Sequence, residues 1–221
     1  MHYETAKRNH GLRHDPFKAL VVPRPIGWIS TVSRDGVLNL APYSFFNAIA
    51  DNPQMVMFSS AGTKDSLRNI LDTRQFTCSM ATWALREHMN VSSAPVAPDA
   101  DEFALAGLTP APSTLVKAPR VAESPAAIEC ELWQTIELPQ DAKRPQLSYT
   151  LVLARVLAIY VDDAFIRDGL VDTAAMRPLA RMGYMDYAFV TPETAFVMNR
   201  PLVAEDGSVT SPPGVWDGVY R

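Results

Sequence analysis

The sequence predicts a mainly β fold, a small β-barrel with helices added on its outside. Three observations carry this. Most patterned segments are short β-rich runs closed by turn residues. One segment, Lys64 to Gln75, has clear helical spacing. The 18 prolines cluster in APVAPDAD, LTPAPSTLVKAPR and TSPPGVW, which calls for ordered loops between strands and argues against a helical bundle.

Taken in order, the segment VPRPIGWIST (22–31) comes first. Its two prolines push the residues before them toward extended geometry, so a stiffened strand starts here. GWISTVSRDGVLNLAPYSFF reads as two strands paired as a hairpin about Arg34-Asp35-Gly36, because Asp-Gly readily takes positive φ. MVMFS (55–59) is a continuous apolar run suited to a buried strand. KDSLRNILDTRQ (64–75) is a helix with Leu67, Ile70 and Leu71 on one face. FTCSMA (76–81) follows as a strand and Leu85 to Val91 as a short helix. Residues 94–120 are rich in loops, with DEFALAGL as a short helical piece. AIECELWQTIEL (127–138) alternates, setting Ile128, Cys130 and Leu132 against Glu129, Glu131 and Trp133. SYTLVLARVLAIYV (148–161) is one bent strand or two. The tail from about Glu205 is polar and rich in Pro and Gly, an arm lying on a partner subunit or a disordered end.

Composition narrows the function. With 221 residues, 48% of them hydrophobic, the chain can bury a real core without cross-links. The net charge of −4 and the lack of a basic stripe argue against a nucleic-acid partner. The polar N-terminus, MHYETAKRNHGLRH, is no signal peptide, and the longest apolar run contains Arg155 and is too short for a bilayer. A cytoplasmic location without membrane contact is therefore expected. Cys78 and Cys130 sit in apolar strands and read as buried thiols in reduced cytosol.

Three segments could carry chemistry. In SSAGTKDSLRNIL (59–71) a buried strand ends at Ser59 and Ser60, Gly62 turns, and a helix starts that Thr63 or Asp65 can cap. The helix N-terminus, Lys64 and the hydroxyls of Ser59, Ser60 and Ser66 together form a phosphate cradle. The competing reading is an ordinary capped helix with a surface lysine. In NLAPYSFFN (39–47), Ser44 can offer a hydrogen bond to the edge of a flat aromatic ligand, while Phe46 reads as a core plug. In the opening stretch, rigid backbone N–H groups from Ile26 to Ser30 suit a planar heterocycle, with Trp28 as a wall and Arg24 meeting an anion; the competing reading is a packed tryptophan at a stiff strand.

Other signals are weaker. His10 and His14 are four residues apart, but no third ligand is in view, so no metal site is expected. The sequence lacks a GxGxxG, a GxSxG and an HExxH motif, and His88 alone in the body of the chain leaves a histidine-based triad short of material.

Together, VPRPIGWISTVSRDGVLNLAPYSFFNAIADNPQMVMFSS, KDSLRNI, FALAGLTPAPSTLVKAPRVAESPAAIECEL and RPLARMGYMDY resemble the flavin reductase-like family of FMN-binding split barrels, the group that includes flavoredoxins. The resemblance covers about residues 15–190. It implies an N-terminal arm (1–14), a split-barrel domain (15–194) and a C-terminal tail (195–221) without a family counterpart. It implies FMN, with FAD as the alternative, held by Arg24, Trp28, Ile29, Ser30 and Thr31 along the flavin. Ser44, Phe45 and Asn47 would lie at the ring, and Ser59, Ser60, Lys64 and Ser66 at the phosphate. Position 66 carries serine where threonine is common in the family. Arg181, Tyr184 and Tyr187 would close the site from the other subunit of a homodimer. The implied activity is hydride transfer from NAD(P)H to flavin N5. No acid–base residue is required, and Ser44 would tune the ring. A partner monooxygenase or another acceptor would take the electrons. The rivals are a flavoredoxin-type electron carrier with little NAD(P)H activity, and a flavin-free interaction module.

Overall fold

The computed structural model describes residues 1–211 except 143, 145 and 146, together with 214, 216 and 218. A helical turn α1 (Phe17–Leu20) precedes β1 (Arg24–Pro25). The hairpin β2 (Gly27–Val32) and β3 (Leu38–Tyr43) follows, paired antiparallel as the Asp-Gly signal requires, with Gly36 at φ 87°. Next come β4 (Phe46–Asp51), β5 (Gln54–Ala61), α2 (Asp65–Thr73), β6 (Gln75–Met80), α3 (Arg86–Val91) and α4 (Glu102–Leu105). After the short pair β7 (Pro110–Ala111) and β8 (Arg120–Val121) run the two long strands, β9 (Ala126–Glu137) and β10 (Tyr149–Val161). Beyond them lie β11 (Ile166–Arg167), β12 (Leu170–Val171), α5 (Thr173–Met176), β13 (Leu179–Arg181) and β14 (Tyr187–Phe189). A last short hairpin joins β15 (Leu202–Val203) to β16 (Val209–Thr210).

Seven strands form one sheet in the order β3-β2-β6-β9-β10-β5-β4. Its two edges, β3 and β4, are consecutive in the chain, joined only by Ser44 and Phe45. A flat sheet of that width would hold its edges about 29 Å apart at ~4.8 Å per strand. Three residue steps span at most ~11 Å. The sheet must therefore curl until its edges nearly meet, which makes a split barrel. The Ser59 N–H donates to the Phe45 carbonyl at 2.9 Å and carries the β4–β5 ladder into this link.

Two apolar cores lie on opposite faces of β2. Ile29 points into the barrel with Tyr43, Phe58, Phe76, Cys130 and Val152, and α2 closes that core with Leu67 and Ile70. Trp28 and Leu40 point outward into a second core with Met89, Phe103 and Val121. Gly27 is required here: a Cβ on it would lie 2.5 Å from the Phe46 ring. Phe46 is partly buried against the barrel core, the plug that the sequence suggests.

Several expectations need correction. Leu71 is exposed, and the inner face of α2 carries Ser66 and Asn69 beside Leu67 and Ile70. Glu129 is buried, because its carboxylate accepts the backbone N–H groups of Thr114 (2.7 Å), Leu115 (2.6 Å) and Val116 (3.2 Å). The 148–161 run is one strand with two register shifts. Neither β4 nor the small sheet β1-β13-β14 was read from the sequence.

Cys78 and Cys130 are buried free thiols. Burial pushes Cys78 up to about 12, so it stays protonated. His10 Nδ1 accepts the Leu12 N–H, and the His14 ring packs 5.7 Å from that of Tyr184. The tail forms the β15–β16 hairpin; the expectation for residues 212, 213, 215, 217 and 219–221 lies outside the described residues. Among the described residues, no helix is long and apolar enough to cross a membrane.

Candidate functional site

The strand end, glycine turn and helix start read from residues 59–71 are all present, with one change at the cap. β5 ends at Ser59-Ser60-Ala61, and Gly62 turns the chain at φ 72°. Lys64 then runs extended and is itself the N-cap of α2, with no side-chain cap. Neither Thr63 nor Asp65 caps the helix as expected, because the helix starts one residue after Lys64 and Asp65 lies inside its first turn. The Asp65 carboxylate pairs with Arg68 instead. A nine-residue helix thus presents its first N–H groups and partial positive charge without a side chain to satisfy them. Lys64 is exposed beside them, its Nζ 5.9 Å from the centre of the Tyr43 ring.

Ser66 and Thr31 are placed differently from the sequence reading. Both are buried in a polar network that spans four elements, α2, β2, β3 and α4. Ser66 Oγ donates to Asn39 Oδ1 at 2.8 Å, and Thr31 Oγ1 donates to the same oxygen at 3.3 Å. Asn69 Nδ2 donates to Thr31 Oγ1 at 3.0 Å. Asn39 Nδ2 and the Leu40 N–H donate to the two Glu102 carboxylate oxygens at 3.0 and 3.1 Å. Burial raises the Glu102 carboxyl above its ordinary value, although the bonds from Leu40 and Asn39 oppose that rise.

The rest of the β2 segment also turns inward. Trp28 is fully buried in the second core and donates its indole N–H to Ser92 Oγ at 2.9 Å, the packed tryptophan of the competing reading. Ile29 lies in the barrel core. Ser30 Oγ donates to the carbonyls of Pro119 and Thr77. The Arg24 guanidinium donates to the carbonyls of Lys18, Val21 and Met182, tying α1 to the β13–β14 turn. Burial, and then Arg181, hold Arg24 below its usual value.

Ser44, Phe45, Ser59, Ser60 and Lys64 are brought together at the seam between β3 and β4. Ser60 Oγ donates to the Gly62 carbonyl at 3.0 Å. Asn47 is exposed, its Oδ1 accepting the Ala48 N–H. Three buried polar atoms have no hydrogen-bond partner among the described residues: Arg24 Nε, Tyr43 Oη and Ser59 Oγ. All three border the Ser44–Phe45 link. Tyr43 precedes it, Ser59 is bonded to Phe45 through the backbone, and Arg24 lies 5.9 Å from the Phe45 ring centre. Tyr43 Oη stands near the Ser60 and Ser66 hydroxyls without a hydrogen bond of ordinary geometry, and burial raises its phenol.

The Arg181–Tyr187 segment forms the turn between β13 and β14. Arg181 donates to Tyr187 Oη and to the Tyr184 carbonyl, and its guanidinium lies 4.5 Å from the Tyr187 ring centre. Tyr184 and Tyr187 are exposed. A separate apolar cavity of about 220 Å³ opens between Phe46, Cys78, Ala127, Ile159 and Leu179.

Sequence reasoning missed Asn39, Tyr43, Asn69 and Glu102. An asparagine inside the run LNLAPY is a signal, since a polar group on a buried strand needs a partner. Glu102, in a proline-rich stretch, carries no such signal.

Known proteins resemble this chain closely enough to give the geometry a context. A family model described as flavin reductase like domain matches residues 19–179. An uncharacterised protein of Aquifex aeolicus is 38% identical over 170 residues, covering 74% of this chain and 83% of its own. Component B of nitrilotriacetate monooxygenase from Bacillus cereus superposes with a TM-score of 0.75 at 29% identity, covering 83% of this chain and 93% of its own. The flavoredoxin of Desulfovibrio vulgaris superposes with a TM-score of 0.70 at 26% identity, covering 83% and 92%.

Proposed function

We propose, given that the chain belongs to the flavin reductase-like family, that it is an FMN-binding NAD(P)H:flavin oxidoreductase. A flavin-related oxidoreductase is the family-level function. The observation that carries the finer reading is the uncapped N-terminus of α2 beside Lys64, at the end of the Ser59–Ser60 strand. That arrangement suits a terminal phosphate, which distinguishes FMN from an uncharged flavin. The unpartnered Ser59 Oγ, Tyr43 Oη and Arg24 Nε fit a polar ligand along the Ser44–Phe45 seam, because each is a buried group that lacks a protein partner.

Bound FMN supplies a hydride acceptor at its N5; the protein supplies binding and orientation. Lys64 and the first N–H groups of α2 hold the anion. Ser44 and the backbone of the seam orient the ring. The buried hydroxyls of Thr31 and Ser66 hold the helix against the barrel, and Trp28 stiffens β2 from the second core. A second copy of the chain contributes Arg181, Tyr184 and Tyr187 to close the site. The likeness to a monooxygenase component supports delivery of electrons to a partner monooxygenase. The likeness to a flavoredoxin supports a second reading, a carrier that keeps its FMN and turns NAD(P)H over slowly.

A visible absorption spectrum, taken before and after anaerobic NADH and then NADPH, tests both. A flavin band that bleaches rapidly is the expected result. A band that bleaches only with dithionite favours the carrier. If added FMN does not bind, the flavin reading fails. Lys64→Ala combined with Ser44→Ala should weaken FMN by roughly 30-fold or more in a fluorescence-quenching titration, the loss expected for a charged hydrogen bond and one neutral partner.

A further inference from the structure

We infer that Glu102 is a positioning residue for the anion end of this site: it sets the direction of the hydrogen bonds that anchor the N-terminus of α2. The inference rests on the reading that a phosphate binds at α2.

A carboxylate can only accept. Glu102 takes one bond from the Leu40 N–H and one from Asn39 Nδ2. Asn39 must therefore turn its NH2 group to Glu102 and its carbonyl oxygen to the other side. That oxygen meets two hydroxyls, Ser66 and Thr31, and both must donate to it. Thr31 Oγ1, its hydrogen committed, accepts from Asn69 Nδ2. The polarity of the whole chain follows from the one group that cannot donate.

Two consequences concern the site. Ser66 is the second residue of α2 and Asn69 lies one turn on, so the network grips the helix at two points against β2 and β3. The Ser66 hydrogen points inward to Asn39, which leaves no Ser66 O–H for a phosphate. The helix then offers its backbone N–H groups and Lys64 to the anion, and Ser66 acts as an anchor for their position. All five side chains are at least nine-tenths buried, so water does not substitute for a lost link.

Glu102→Gln tests this. One of the two acceptor positions becomes a donor, so Asn39 either loses its partner or flips and reverses both hydroxyls. Binding of FMN and of riboflavin, which has the same ring but no phosphate, is compared by fluorescence quenching. FMN should weaken roughly fivefold to tenfold, while riboflavin changes by less than about twofold. Ser66→Ala should give the same split, and the double variant should lose little more than either alone, because both act through one network. Equal loss of FMN and riboflavin affinity, or no loss, overturns the inference. So does an additive double variant, which would make Ser66 a direct ligand. Lys64→Ala guards the premise. If it too weakens FMN and riboflavin equally, the phosphate is not at α2 and the underlying reading fails. If Lys64→Ala separates the two ligands and Glu102→Gln does not, only the role of Glu102 fails.

Discussion

Ser66 and Ser59 stand on either side of one short loop, and their hydroxyls live in opposite conditions. On the helix side, Ser66, Thr31, Asn39, Asn69 and Glu102 form a network in which each side chain has a partner. On the strand side, Ser59 Oγ, Tyr43 Oη and Arg24 Nε are buried and have no partner among the described residues. A buried polar network stabilises when it is closed and costs stability where it is open. The helix side therefore reads as scaffold, and the strand side as the part of the fold that a polar ligand would complete.

The closed side breaks most severely at its hub. Asn39→Ala would remove the acceptor of two hydroxyls and the donor to a buried carboxylate together. Each orphaned neutral group costs about 1–3 kcal/mol and a charged one more, so a loss of roughly 3–5 kcal/mol is expected in urea unfolding at neutral pH. A loss below about 1 kcal/mol would mean that the network is not closed.

The same network sharpens the comparison through pH. Burial raises the Glu102 carboxyl above its ordinary 4.5. A carboxyl that holds its proton more tightly when folded contributes stability that is fully present below the unfolded pKa, and that is lost as pH rises through the raised folded value. Glu102→Gln has no such titration. The melting temperature of the natural chain minus that of the variant should fall as pH rises from about 4.5 upward. A difference that is flat or grows with pH would mean that the bonds from Leu40 and Asn39 outweigh the effect of burial on the carboxylate. Asp65 is the other acid acting on Glu102, so Asp65→Asn should flatten the slope in part.

These two clusters also mark what the sequence could reveal. The hairpin about Gly36, helix α2 and the alternation of β9 were legible, because each follows from local rules of turn chemistry and spacing. The strand end, glycine turn and helix start of residues 59–71 were legible for the same reason, since they are contiguous in the chain. The inward turn of Trp28 and Ser30 was not. It depends on α3, α4 and the loop at Pro119 covering the outer face of β2, and these lie 60 to 90 residues away in the chain. Glu129 read as a polar-face residue because its N–H partners come from another segment, and nothing local marked Glu102. The strand β4 was hidden because FNAIAD pairs at a sheet edge, where most of its residues stay exposed. The continuous loop was therefore legible, whereas the internal hydrogen bonds of the Ser30, Thr31 and Ser66 hydroxyls were not.

The smallest expected effect is the most diagnostic. Removing a hydroxyl that has a partner should cost stability; removing one that has none should not. Ser66→Ala should destabilise the flavin-free protein by about 1–2 kcal/mol, the penalty for orphaning part of a buried network. Tyr43→Phe and Ser59→Ala should each change it by no more than about 0.5 kcal/mol, or raise it slightly, because each deletes an unsatisfied buried atom while keeping the packing. With saturating FMN the order should change. The natural chain should gain stability by mass action on binding, and Ser59→Ala should gain less if its hydroxyl serves the ligand. Thermal melts of the three variants, with and without FMN, read all of this in one experiment. If Tyr43→Phe and Ser59→Ala cost the flavin-free protein as much as Ser66→Ala does, both hydroxyls already have partners in solution, and the two sides of the loop are alike.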